Sequence, residues 1–236
     1  MIRIKQPVLR TVITILLGLL VLILSSALML SISTNTNLFE EVPIIGKTFT
    51  HSSMLVLSIL LIIILNKGNL REYGFNWNRN YPFFKIVFLS LAIGFISSLI
   101  ILLINTPSIE FTPTKGFTLI EQIAYIWIWA SICEEVFTRG LIQGFLSPLK
   151  HIGIKISKYF FSLPVIVGAI FFGAMHLMLL SMGVNTSIVL NIVIFGIILG
   201  LIAGYYKEKS NSLVPAIIVH ACFNIGGSIL EIISLV

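Results

Sequence analysis

The chain has 236 residues, of which 57% are hydrophobic and only 10% charged, with a mean hydropathy of +1.07. A soluble globular domain carries about 25% charged residues, so this composition excludes one and predicts an integral membrane protein. Every acid is a glutamate, which excludes EF-hands, a Walker-B aspartate and a Ser/His/Asp triad, and the two cysteines, Cys133 and Cys222, cannot build a disulfide framework.

A bilayer core about 30 Å thick needs about 20 apolar residues per helix. Stretches of that kind run over Thr11–Ser33, Thr48–Asn66, Ile86–Asn105, Leu119–Leu146, Tyr159–Met182, Thr186–Tyr206 and Leu213–Val236. They are long and continuously apolar, unlike the alternating segments of about 10 residues in a spanning β-barrel. The expected fold is therefore an all-α integral membrane bundle of about seven transmembrane helices, each satisfying its own backbone hydrogen bonds in lipid. Residues 1–118 hold spans one to three and residues 119–236 hold spans four to seven, together one integral domain. Span one follows Arg3, Lys5 and Arg10. It exceeds the 7–15 residue apolar region of a signal peptide and is expected to stay as an anchor.

The basic residues set the orientation. Arg3, Lys5, Arg10, Lys67, Arg71, Arg79, Lys85, Lys150, Lys155, Lys158, Lys207 and Lys209 fall on one side if the chain crosses at each stretch, and only Lys47 and Lys115 on the other. The positive-inside rule then places a multi-pass protein in the cell membrane with its N-terminus cytoplasmic and its C-terminus outside. The net charge of +6 is thus a matter of topology and anionic lipid; no nucleic-acid partner is expected.

An ionisable group at mid-bilayer costs roughly 2.5–3.5 kcal/mol even on lenient scales, so the few inside the spans are informative. Glu121 and Glu231 lie near a boundary, where a side chain can snorkel to water; His51 and His151 are read as boundary residues too. Deeper lie Glu134, Glu135 and Arg139 in span four, His176 in span five, and His220 with Asn224 in span seven. Glu135 and Arg139 are four apart and share a helix face. Glu134 points about 100° away and has no intrahelical partner, which leaves one carboxylate available. His220 and Asn224 are again four apart. Taken singly, each histidine reads equally well as a packed core residue. Two imidazoles, an amide and an excess carboxylate on separate helices are harder to explain as packing. At 1.5 Å per residue, Glu134 and Asn224 lie roughly 17–18 Å from the cytoplasmic ends, His220 about 10 Å and His176 about 25 Å. For the four to meet, span five must start later than Tyr159 or tilt strongly. Gly196, Gly200 and Gly204, and likewise Gly140 and Gly144, form small-residue ridges for close helix packing.

Glu134-Glu135…Arg139, Phe172…His176 and His220…Asn224, in that order, resemble the CPBP family, the CAAX proteases and bacteriocin-processing enzymes also known as the Abi family. Its pattern is E-E-x-x-x-R, F-x-x-x-H and H-x-x-x-N/D on separate transmembrane helices. The glycine-rich run Gly196–Tyr206 before the last motif is similar as well, and Leu70-Arg71-Glu72-Tyr73-Gly74 is a weaker echo. Thr138 departs from the pattern, since the family often has an aromatic residue before the arginine. The similarity covers about Leu119–Gly226. It implies a hydrolase, an intramembrane endopeptidase of all-helical fold acting on membrane-associated or lipidated peptides; family members also include proteins linked to bacteriocin self-immunity.

For peptide hydrolysis, a carboxylate in a low-dielectric pocket can serve as general base. Glu134 suits that role, with His176 helping to orient or deprotonate the water, His220 and Asn224 donating to the oxyanion, and Glu135–Arg139 holding the helix and tuning Glu134. A metalloprotease would use the same residues differently. Glu134, His176 and His220 make a His₂Glu set of the type that binds catalytic zinc, although no H-E-x-x-H is present. Both versions stay open at this stage. A cysteine nucleophile at Cys133 or Cys222 would need an electropositive, accessible thiolate, against the usual role of a buried hydrophobe. The alternatives to a protease are a non-enzymatic scaffold or immunity protein and a proton-coupled transporter, the latter disfavoured by the lack of an inverted repeat.

Overall fold

The structure, a computed structural model, describes residues 6–34, 42–78, 80–104 and 117–234. Arg3, Lys5, Arg79 and Lys115 of the charge pattern lie outside the described residues, as does the Glu231 side chain. The helices in chain order are α1 (Pro7–Ser33), α2 (Pro43–Leu65), α3 (Phe83–Ile104), α4 (119–145), α5 (Leu163–Met175), α6 (Thr186–Ser210) and α7 (Val214–Ser234). A short hairpin, β1 (Gly153–Ile156) with β2 (Tyr159–Ser162), separates α4 from α5. Five helices among the described residues are long and apolar enough to cross a bilayer, namely α1, α2, α3, α6 and α5 with its extension to Met182. A shorter apolar helix, Val214–Leu230, lies in α7. The chain is thus an all-α, multi-pass membrane bundle.

Local chemistry explains where the helices begin. Proline occupies the first turn of α1, α2 and α5, where its missing N–H costs nothing. Ser162 caps α5 by accepting from the Val165 N–H, and Thr118 with Glu121 forms a capping box at the start of α4. That bond accounts for Glu121 structurally. α4 changes its winding along its length: π-helical over Gln122–Ala130, α over Ser131–Glu135, and π again over Val136–Ile142. Such wide turns are rare and gather at functional sites.

Three boundaries differ from the sequence expectation. Tyr159–Ser162 is a strand, because the two-residue turn at Ser157, with φ +54°, folds it back on Gly153–Ile156. Span five therefore starts at Leu163, four residues later than expected, which lowers the depth of His176 by about 6 Å. α2 starts at Pro43, which puts His51 more than two turns inside the helix instead of at its edge. α6 continues to Ser210, and Lys207 is consequently buried rather than a solvated loop cation.

Close approach holds the bundle. A Cβ on Gly94 would run into the Phe223 carbonyl of α7, and one on Gly226 into the Leu91 carbonyl of α3, so α3 and α7 meet backbone to backbone. α5 and α6 meet in the same way, Gly200 against Ala169 and Gly196 against Gly173. The other ridge divides: Gly144 receives the ring of Tyr73, while the nearest atom to a Cβ on Gly140 lies 3.6 Å away. At one end of the bundle Arg10, fully buried, donates from Nε to the Phe145 carbonyl at 2.7 Å and stacks on the Phe145 ring. At that end the Leu213 N–H also donates to the Gly74 carbonyl at 2.9 Å, and Asn78 to the Ser210 carbonyl at 2.8 Å. The start of α1, the α2–α3 connection, the end of α4 and the α6–α7 turn thus share one face.

Candidate active site

Glu134 and Glu135 occupy the single α-helical stretch between the two π-helical segments of α4. Glu135 is completely buried. Its Oε2 lies 3.2 Å from Arg139 Nε and its Oε1 3.0 Å from His220 Nδ1. One carboxylate therefore ties α4 to α7 and neutralises the buried guanidinium. Arg139 also lies 4.6 Å over the ring of Phe172 and bonds the Thr138 hydroxyl. That hydroxyl donates to the Glu134 carbonyl at 2.6 Å, so the residue that departs from the family pattern still secures this turn.

Phe172 is the hinge of the histidine pair. Its ring meets His176 edge-on at 5.1 Å and His220 at 5.3 Å. The helix tightens to a 3₁₀ form at His176, whose N–H turns to the Gly173 and Ala174 carbonyls. The Phe172 carbonyl instead takes His176 Nδ1 at 2.8 Å. A carbonyl only accepts, so Nδ1 carries the proton and the neutral ring keeps a bare Nε2. His220 is placed alike: Nδ1 faces the Glu135 carboxylate, and Nε2 lies 3.8 Å from Glu134 Oε2.

Glu134 is not an isolated acid. Its Oε1 accepts from His51 Nε2 at 3.0 Å, a partner on α2 that hydropathy alone puts at a boundary. The signal was an imidazole within an apolar run, masked by placing the start of the span at Thr48 rather than Pro43. Glu134, His51 and His176 line one cavity of about 200 Å³ with Leu22, Met54 and Met175, so acid and imidazoles open onto an apolar space between α1, α2 and α5.

Asn224 differs from expectation. Its Nδ2 donates to the Ile126 carbonyl at 3.0 Å and to Ser131 Oγ at 3.2 Å. Both amide hydrogens are spent on α4, because α7 lies directly against the first π-helical segment, and neither is left to meet an oxyanion. Cys133 is fully buried in the apolar cluster of Met54 and Phe137, without the accessible setting a nucleophile needs. The donor types suit a divalent cation: two imidazoles anchored through Nδ1, one of them on a carboxylate, the arrangement that supports metal-ligating histidines. As placed, no three His, Cys or Glu side chains among the described residues are drawn together around an ion.

No curated protein and no solved structure matches the chain. Residues 116–226 match the family model described as Rce1-like, type II CAAX prenyl endopeptidase. The matched segment contains Glu134, Glu135, Arg139, Phe172, His176, His220 and Asn224, and it belongs to the CPBP family of CAAX proteases, membrane-embedded endopeptidases.

Proposed function

We propose that the protein hydrolyses a peptide bond of a lipidated or membrane-bound protein, with Glu134 as general base. The observation that carries this reading is the meeting of α4, α5 and α7 around one carboxylate that opens onto an apolar cavity. A water between Glu134 and the bare Nε2 of His176 loses its proton to Glu134 as it attacks the substrate carbonyl. His220, held through Nδ1 by Glu135, would enter the reaction as an imidazolium already charged before the substrate binds and donate its Nε2–H to the oxyanion. Glu134 then passes its proton to the leaving amine. Asn224 keeps α7 in register with α4, and Arg139 holds the Glu135 carboxylate in place. If a divalent cation binds, Glu134, His176 and His220 would hold it, and it would polarise the substrate carbonyl as a Lewis acid.

The cavity favours an apolar substrate segment, because its walls are supplied by leucine and methionine side chains of α1, α2 and α5. The basic face that joins Arg10 to the α2–α3 and α6–α7 connections is assigned to the cytoplasm, with the C-terminus outside. The test is cleavage of a membrane-anchored fluorogenic peptide by purified protein in lipid, wild type against Glu134→Gln, alongside elemental analysis. Loss of hydrolysis with an unchanged melting temperature is expected. Retained hydrolysis in Glu134→Gln overturns the reading. Metal at one equivalent assigns the activity to the metalloprotease version.

A further inference from the structure

We infer that His51 on α2, outside the matched segment, is a positioning residue that holds the Glu134 carboxylate, and that Tyr125 on α4 locks the His51 ring. The inference rests on Glu134 being the base. Among the described residues the 3.0 Å bond from His51 Nε2 to Glu134 Oε1 is the shortest polar contact of that carboxylate, against 3.8 Å from His220 to Oε2. One oxygen is thus tied down, and the other is left to take a proton.

The ring itself is held at both ends. His51 Nδ1 lies 2.8 Å from the Tyr125 hydroxyl and 3.1 Å from the Lys47 carbonyl. A hydroxyl can donate and a carbonyl only accepts. The neutral ring takes the Tyr125 O–H at Nδ1, and the imidazolium donates from Nδ1 to Lys47. In either state Nε2 carries the hydrogen that meets Glu134. Tyr125 also packs edge-on to the ring, at 5.5 Å and 87°. Four residues along α4 from Tyr125, Trp129 Nε1 donates to Oγ of Ser52, the neighbour of His51, at 3.2 Å and pins α2 to α4.

A pair that served packing alone would sit away from the substrate space. His51 and Glu134 both line the cavity. Fixing a carboxylate in its reactive orientation before substrate arrives removes an entropic part of the barrier. α2 is then part of the chemistry as well as of the membrane anchor.

The experiment measures kcat and KM for His51→Leu, His51→Gln and Tyr125→Phe in lipid, with the membrane-anchored peptide and Glu134→Gln as reference. Loss of an orienting partner lowers activity roughly 10–100-fold where such partners have been removed elsewhere, so His51→Leu should lose that much in kcat with KM nearly unchanged. Glutamine can place an N–H near the Nε2 position, and His51→Gln should recover most of the loss. Tyr125→Phe keeps the ring and should lose kcat to a smaller degree. Wild-type kcat in His51→Leu, or a glutamine variant as slow as the leucine one, overturns the inference. If His51→Leu does not fold, Tyr125→Phe decides: a wild-type kcat there overturns it. Activity in Glu134→Gln would instead remove the reading on which it rests.

Discussion

Replacing Arg139 by methionine keeps an unbranched, flexible side chain and removes the charge from a fully buried position. Glu135 would be left with His220 alone, at 3.0 Å, where it had also faced the guanidinium at 3.2 Å, and Arg139 and Glu135 are both 0% exposed. At an effective dielectric of about 20, the lost attraction at that distance is about 5 kcal/mol. Breaking a buried pair from one side typically costs 3–5 kcal/mol, because the remaining charge stays desolvated. His220 can share part of that charge, so the lower end, about 3 kcal/mol, is expected here. For a chain of this size that corresponds to a fall of roughly 6–12 °C in Tm, read from tryptophan fluorescence in detergent at one scan rate. The double variant Glu135→Gln/Arg139→Met leaves neither charge of this pair buried and should melt above the single one, since neighbouring sites couple. An Arg139→Met protein within about 1 kcal/mol of wild type, or a double variant less stable than the single, would refute the buried-pair reasoning.

Two further outcomes follow from the geometry. Asn224→Ala removes both donors that hold α7 to Ile126 and Ser131 and should cost about 1–3 kcal/mol through the acceptors left buried, seen as a lower Tm. Tyr73, in the α2–α3 connection, is buried against Gly144, and burial pushes its phenol up to about 12 from an ordinary 10. The unfolded chain ionises this group at about pH 10 and the folded one does not until about pH 12. Its contribution is therefore intact below pH 10 and is lost as pH rises through that window. Tyr73→Phe should flatten the fall of Tm above pH 10, and curves that stay parallel would contradict the placement.

The helical bundle was legible because lipid leaves an unpaired backbone no alternative, and continuous apolar runs of about 20 residues state that directly. The order Glu134–Glu135–Arg139, Phe172–His176 and His220–Asn224 was legible for a related reason. Spacings of four residues put both members of each pair on one face, and polar groups inside a bilayer are too costly to be idle. The start of α5, at the Ser162 cap and Pro164, was hidden by the aromatic run Tyr159–Phe161, which is as apolar as a helix and folds as a strand.

Sequence alone determined that this is a membrane bundle and which deep polar residues need explaining, since hydropathy and helical periodicity are properties of a segment by itself. Only the tertiary structure decided which of those groups meet. It spent the Asn224 hydrogens on α4, gave Glu135 to both Arg139 and His220, and brought His51 from a distant helix to Glu134. Hydrogen bonds between helices depend on rotation and register, which the wide turns of α4 and the glycine contacts set, and no single segment encodes those.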